Sequence, residues 1–139
     1  SELQMDTHFI LCIEERDNKK DRSSIDTRLF IGYSSKYDDY YIRGKRQDIG
    51  SREFVPYAFR CDSTNDLYDF IKFAVCPGSK TSIILYNFNN LEGYSNDELT
   101  YEFFEENIDR NYEVAAYDSV KMKRNQITKY LRMLKNTYN

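Results

Sequence analysis

The sequence predicts an α/β fold, with α+β as the alternative: a mixed sheet that opens with an antiparallel meander of about four strands and continues helix–strand–helix–strand–helix. Three observations carry this. Thr81-Ser82-Ile83-Ile84-Leu85-Tyr86-Asn87-Phe88 is apolar through its centre with no alternation, as suits a strand covered on both faces in the middle of a sheet. Just before it, Leu67, Phe70, Ile71, Ala74 and Val75 recur at the offsets that place them on one face of a helix. The rest of the order, strands first and then helices alternating with strands, predicts a sheet that is antiparallel early and partly parallel later.

Each element has its own signal. Phe9, Leu11 and Ile13 alternate with His8, Ile10 and Cys12, giving a first strand over 7–15. The charged, Ser-rich stretch Asp17–Asp26 reads as a loop. Leu29, Ile31 and Tyr33 mark a second strand, Ser34–Asp39 a hairpin, Tyr40–Arg43 a third strand and Gly44–Arg52 a turn region. Val55, Tyr57, Phe59 and Cys61 line one side of a fourth strand, and Pro56 sends part of it to an edge. Ser63 caps the core helix with Asp66 in its first turn, and Cys76-Pro77-Gly78 stops it. Ser95-Asn96-Asp97-Glu98 has the form of a capping box, which predicts a helix with Leu99, Phe103, Phe104 and Ile108 inside. Tyr112–Tyr117 reads as a sixth strand. From about Lys123 a last helix carries Ile127, Tyr130, Leu131, Leu134 and Tyr138 along one stripe.

The 139 residues form one domain's worth of chain, with residues 1–6 read as a disordered tail or an expression remnant. With 5 Gly and 2 Pro there is little room for a long linker. Cys12, Cys61 and Cys76 have no CxxC spacing and read as buried free thiols, which points to a reducing, intracellular setting, in the cytoplasm or in a host's cytoplasm or nucleus. The lone His8 reads as a surface or half-buried side chain; no metal site, cofactor or membrane span is expected. The excess of Tyr (13) and Phe (9) over Ala fits an AT-rich genome, of the kind many viruses and phages have.

The element order has the same shape as the ribonuclease H-like fold. A metal-dependent nuclease of that shape would need carboxylates on the first strand, first helix and central later strand, to clamp magnesium across a phosphodiester. Glu14 and Asp66 or Asp69 could serve, but the central strand offers Asn87 and Asn89 where an Asp is wanted. Phosphate-loop and nucleophile-elbow motifs are absent. No residue is assigned a catalytic role.

Charge is the clearer signal. Lys121, Lys123, Arg124, Lys129, Arg132 and Lys135 give the C-terminal segment six cations and no acid. Glu92–Asp118 holds nine acids against Arg110, among them Asp97, Glu98, Glu102, Glu105, Glu106 and Asp109. The two helices either pair their outer faces or present opposite fields to solvent. Tyr40, Tyr41, Arg43, Lys45, Arg46 and Arg52 interleave rings with cations, a composition that suits nucleic acid or an edge guarded against aggregation. A net charge of −3 and a pI near 5.2 count against general nucleic-acid binding. The sequence therefore points to a non-enzymatic protein–protein interaction module, such as a viral or phage accessory or inhibitor protein. A nucleic-acid or nucleotide module is the alternative, and a nuclease comes third.

Overall fold

The computed structural model describes residues 7–16, 27–47, 54–74, 80–89, 91–110, 112–119 and 124–136. Six strands, β1 (Thr7–Arg16), β2 (Thr27–Ser34), β3 (Asp39–Gln47), β4 (Phe54–Cys61), β5 (Lys80–Asn89) and β6 (Tyr112–Ser119), form one sheet in the order β4-β3-β2-β1-β5-β6. Three α-helices complete the described fold: α1 (Thr64–Ala74), α2 (Tyr101–Asn107) and α3 (Arg124–Asn136). Short 3-10 turns at Leu91–Gly93 and Ile108–Arg110 flank α2.

The class is the mixture of helix and sheet that the sequence predicts, but the later strands do not turn parallel. All five strand pairs are antiparallel, including β1 with β5 and β5 with β6. The reason is the count of strands before α1. The meander's fourth strand ends antiparallel to β3, and the α1 connection carries the chain across to the far side of β1, where it runs antiparallel to β1 as well. The ribonuclease H-like order therefore stops at the sequence of elements, because that shape requires a later strand parallel to the first.

Strand alternation divides the side chains into two layers. Leu11, Ile13, Leu29, Ile31, Ile42, Ile83 and Leu85 face α1 and α3, meeting Leu67, Ile71, Ile127, Leu131 and Leu134. Ile10, Cys12, Phe30, Tyr41, Tyr86 and Phe88 point the other way, to Leu91, Leu99, Tyr101 and Phe104 around α2. β5 is paired on both sides, yet it is not equally deep on both: Leu85 is buried, while Ile84 is only half-buried.

Several local predictions are revised. Ser63 does cap α1, its Oγ accepting from the Asp66 N–H at 3.2 Å, and Tyr68 joins Leu67 and Ile71 in the core. The capping-box bond also forms, Ser95 N–H donating to Glu98 Oε1 at 3.1 Å, but it closes a turn. The helix starts later, at Tyr101, where Thr100 Oγ1 accepts from the Phe103 N–H at 3.1 Å. Leu99 is thus buried ahead of the helix. β3 runs on to Gln47, so Gly44, Lys45 and Arg46 belong to a strand and not to a turn. His8 is buried, because β1 is covered on both faces at that point. The Cys76-Pro77-Gly78 stop and residues 1–6 lie outside the described residues.

Candidate functional site

The two faces of the sheet are covered unequally, and the site follows from that. α1 and α3, of 11 and 13 residues, span one face; the other has α2, of 7 residues, and the irregular chain leading into it. The β3–β4 end of the α2 face is left open as a cleft of about 390 Å³, bounded by Arg43, Lys45, Ala58, Arg60, Asn96 and Tyr101. A neighbouring cleft of about 530 Å³ lies toward the β2–β3 hairpin, with Tyr37, Tyr41 and Tyr94 on its walls. Asn96 and Asp97 line both.

The cleft floor is set by strand register. Arg28 stands beside Lys45, Phe30 beside Arg43, and Gly32 beside Tyr41; Arg43 stands beside Ala58, and Tyr41 beside Arg60. Tyr41 fits only because its neighbour is glycine: a Cβ on Gly32 would lie 2.2 Å from the ring's Cζ and Oη. Arg43 is buried, and it donates from Nε to the Leu99 carbonyl at 3.0 Å, from Nη1 to the Ile42 carbonyl at 2.9 Å and from Nη2 to Asn96 Oδ1 at 3.1 Å. Arg60 holds Asp39 with Nε and Nη2, at 2.7 and 2.5 Å, and donates from Nη1 to Asn96 Oδ1 at 2.6 Å. Both guanidiniums therefore converge on one neutral amide oxygen. They also anchor the 96–99 chain to the sheet.

Their electrostatics differ. Asp39 holds the Arg60 guanidinium above its ordinary range, chiefly through its hydrogen bonds. Burial pushes Arg43 down, the nearby charge of Arg60 adds to this, and Asp97 opposes it. Among the described residues Arg43 meets no carboxylate at ion-pair distance; backbone carbonyls, an amide and the Tyr41 ring carry its charge. Lys45 pairs with Glu102 at 3.0 Å and lies 4.8 Å from the Tyr101 ring centre. Farther along the same face Arg28 joins Glu14 at 3.1 Å to Glu105 at 3.2 Å, tying β1 and β2 to α2.

The residues singled out by sequence are distributed as follows. Alternation separates Tyr40 from Tyr41: Tyr40 lies under α3, its hydroxyl donating to the Leu131 carbonyl at 3.1 Å. Arg46 is half-buried on that same side, away from Arg43 and Lys45. Arg52, Lys121 and Lys123 lie outside the described residues. Arg124 donates to Asn65 Oδ1 at 2.6 Å and sits over the Tyr68 ring; Lys129, Arg132 and Lys135 are exposed along α3. Asp97, Glu98, Glu102, Glu105, Glu106 and Asp109 are exposed on the opposite face, around α2. The acidic and basic helices therefore stand on opposite sides of the sheet and do not pair.

For the nuclease arrangement, Glu14 shares the α2 face with Arg28, whereas Asp66 and Asp69 are exposed on α1 across the sheet. Asn87 is on the α1 side of β5, with a buried Oδ1 that has no hydrogen-bond partner among the described residues. No group of three or more His, Cys, Asp or Glu is arranged to hold a metal among the described residues. Burial, with Glu14 beside it, pushes the Cys12 thiol well above its ordinary range, which makes it a poor nucleophile. Among the described residues no helix is long and apolar enough to cross a membrane.

Sequence reasoning did not single out Asp39, Arg60 and Asn96, which organise the cleft. One signal was available: Tyr41, Arg43 and Lys45 share a strand face, so a cation at the middle position must point at whatever covers that face. Comparison with known proteins returns no match to any protein-family model, curated protein or solved structure.

Proposed function

We propose that this protein is a non-enzymatic interaction module that engages another protein through its charged helices, as a viral or phage accessory or inhibitory factor does inside a host cell. What supports this above all is the position of α2 and α3 on opposite faces of the sheet, so that neither helix compensates the other's charge, although Glu102 and Glu105 pair with Lys45 and Arg28 and Lys135 approaches Asp38. α3 shares its face of the sheet with α1, whose Phe73 is 73% exposed, so that face offers an apolar contact as well as exposed cations. Affinity capture tests the proposal with the wild type and two variants. One is Lys129→Gln with Arg132→Gln and Lys135→Gln; the other is Glu102→Gln with Glu105→Gln and Glu106→Gln. Loss of the same bound protein from one variant, with retention by the other, is the expected result. Equal capture by all three, or turnover of a small substrate by the purified protein, contradicts it.

A second reading, nucleic-acid binding, is favoured by the exposed cations Lys129, Arg132 and Lys135 along α3. It requires affinity that collapses with added salt and is lost in the α3 variant. Salt-insensitive binding excludes it.

A further inference from the structure

We propose that the cleft between β3–β4 and the 96–102 chain is a binding site for the phosphate group of a small organic phosphate monoester. The cationic end of the cleft is defined by Arg43 and Arg60, which share Asn96 Oδ1 at 3.1 and 2.6 Å. Each guanidinium has more N–H donors than its bonds use, and a tetrahedral oxyanion offers acceptors that a single amide oxygen does not. Lys45 lies two residues along the same strand face from Arg43, on the order of 7 Å by strand rise, and adds a third cation to the lining.

The charges around the cleft are not balanced evenly. Asp39 is committed to Arg60 and Glu102 to Lys45, both in direct contact. Arg43, in contrast, has a desolvated charge held by carbonyl and amide dipoles and by the Tyr41 ring 5.6 Å away, with no carboxylate in direct contact among the described residues and Asp97 as the acid that lines the cleft nearby. An anion entering here meets a guanidinium that has already lost its water, so less desolvation remains to oppose binding. The remaining walls include Pro56, Ala58, Thr100 and Tyr101. A volume of about 390 Å³ is much larger than phosphate itself and falls in the range of small-molecule sites, so apolar wall is left for the organic part of a ligand. Asn96 acts as a placeholder: its side-chain oxygen occupies the point between the two arginines that a phosphate oxygen would take.

NMR titration of the full chain at low salt tests this, following the Nε–H resonances of Arg43 and Arg60. The probes are inorganic phosphate, ribose 5-phosphate and adenosine 5′-monophosphate. The monoesters should shift both resonances and bind more tightly than inorganic phosphate, the adenosine ester being the tighter if the apolar wall takes a base. Arg60→Gln and Lys45→Gln, both at partly exposed side chains, should each weaken binding by about tenfold, the loss of one charge-assisted contact. Asp97→Asn removes the repelling acid and should strengthen it. Arg132→Gln, on the far face, should change nothing. The proposal is overturned if no probe moves the two Nε–H resonances at about 10 mM, a concentration well above a millimolar Kd. It is equally overturned if Arg60→Gln binds as the wild type does, or if inorganic phosphate binds as tightly as both esters.

Discussion

The two faces of this sheet solve the same burial problem with different chemistry. Under α1 and α3 the core is mostly aliphatic, Leu and Ile from four strands against Leu and Ile from two long helices. Under α2 it is aromatic, with Phe30, Tyr41, Phe88 and Phe103 gathered round Phe104 at ring-centre distances of 5.4 to 6.3 Å. Both faces take in charge, Glu15 on the first and Arg43, Glu14 and Arg28 on the second, all buried or nearly so. A seven-residue helix cannot cover what two long helices cover, so large rings fill the centre and ion pairs fasten the margin. The margin that stays open is where the clefts lie. The aliphatic side is the more completely covered, and the open space lies on the aromatic side.

Four single variants, one double variant and one titration test this contrast. The largest effect is expected from Phe104→Ala, which removes the fully buried hub of the aromatic cluster and should cost ~3–5 kcal/mol in denaturant unfolding. A loss below ~1 kcal/mol would mean that α2 is a loosely attached cover. Next, the two sides of β5 should respond unequally. Leu85→Ala, facing α1 and α3, should cost ~2–4 kcal/mol, while half-buried Ile84→Ala should cost about half as much. Equal losses would show that the α2 side is as closely covered as the other. Gly32→Ala forces a methyl group against the buried Tyr41 ring and should cost ~1–3 kcal/mol, with Gly32→Ala/Tyr41→Phe recovering little because Cζ clashes as well as Oη. Full recovery in the double variant would place the strain at the hydroxyl alone.

The titration depends on three tyrosines. Burial raises the hydroxyls of Tyr41 and Tyr101 above their ordinary value, and the bond donated to Asp38 is the main cause of Tyr33 being raised to about 12. A raised folded value means that the protonated form is favoured, so this contribution to stability is fully present below about pH 10 and is lost as pH climbs toward the folded values. Phenolate absorbance from these residues should therefore appear together with loss of structure in strong base. Reversible ionisation of any of these three near pH 10 in the folded protein, isolated from the other tyrosines by the difference spectrum of its Tyr→Phe variant, would contradict their placement.

What the sequence made legible was period and composition. The stripe Ile127, Tyr130, Leu131, Leu134 became the inner side of α3, and Leu67 with Ile71 the inner side of α1, because long amphipathic helices declare themselves through spacing. The α2 region was harder to read. Ser95–Glu98 satisfies the local bonding of a helix start, yet the chain turns there because Arg43 and Arg60 hold Asn96 and the Leu99 carbonyl against the sheet. That anchoring is tertiary, and no local window contains it. The direction of β5 was likewise undetermined by pattern, since parallel and antiparallel central strands are equally apolar here. Lys45 and Arg46 read as turn cations because Gly44 ahead of them suggested a break; in the strand Gly44 instead sits tight against Leu29, where a Cβ would fall 2.5 Å from its Cδ2.

The division into two faces is itself open to direct measurement. A nitroxide attached at Lys129→Cys, in a chain carrying Cys61→Ser and Cys76→Ser, places a paramagnetic probe on the exposed side of α3. One packing distance on either side of the sheet puts α2 on the order of 20 Å from α3, whereas α1 lies in the same layer as α3. Amide signals of α1 should broaden strongly while those of 101–107 keep most of their intensity. Broadening of the α2 amides equal to that of α1 would bring the acidic and basic helices together on one side and contradict the two-face account.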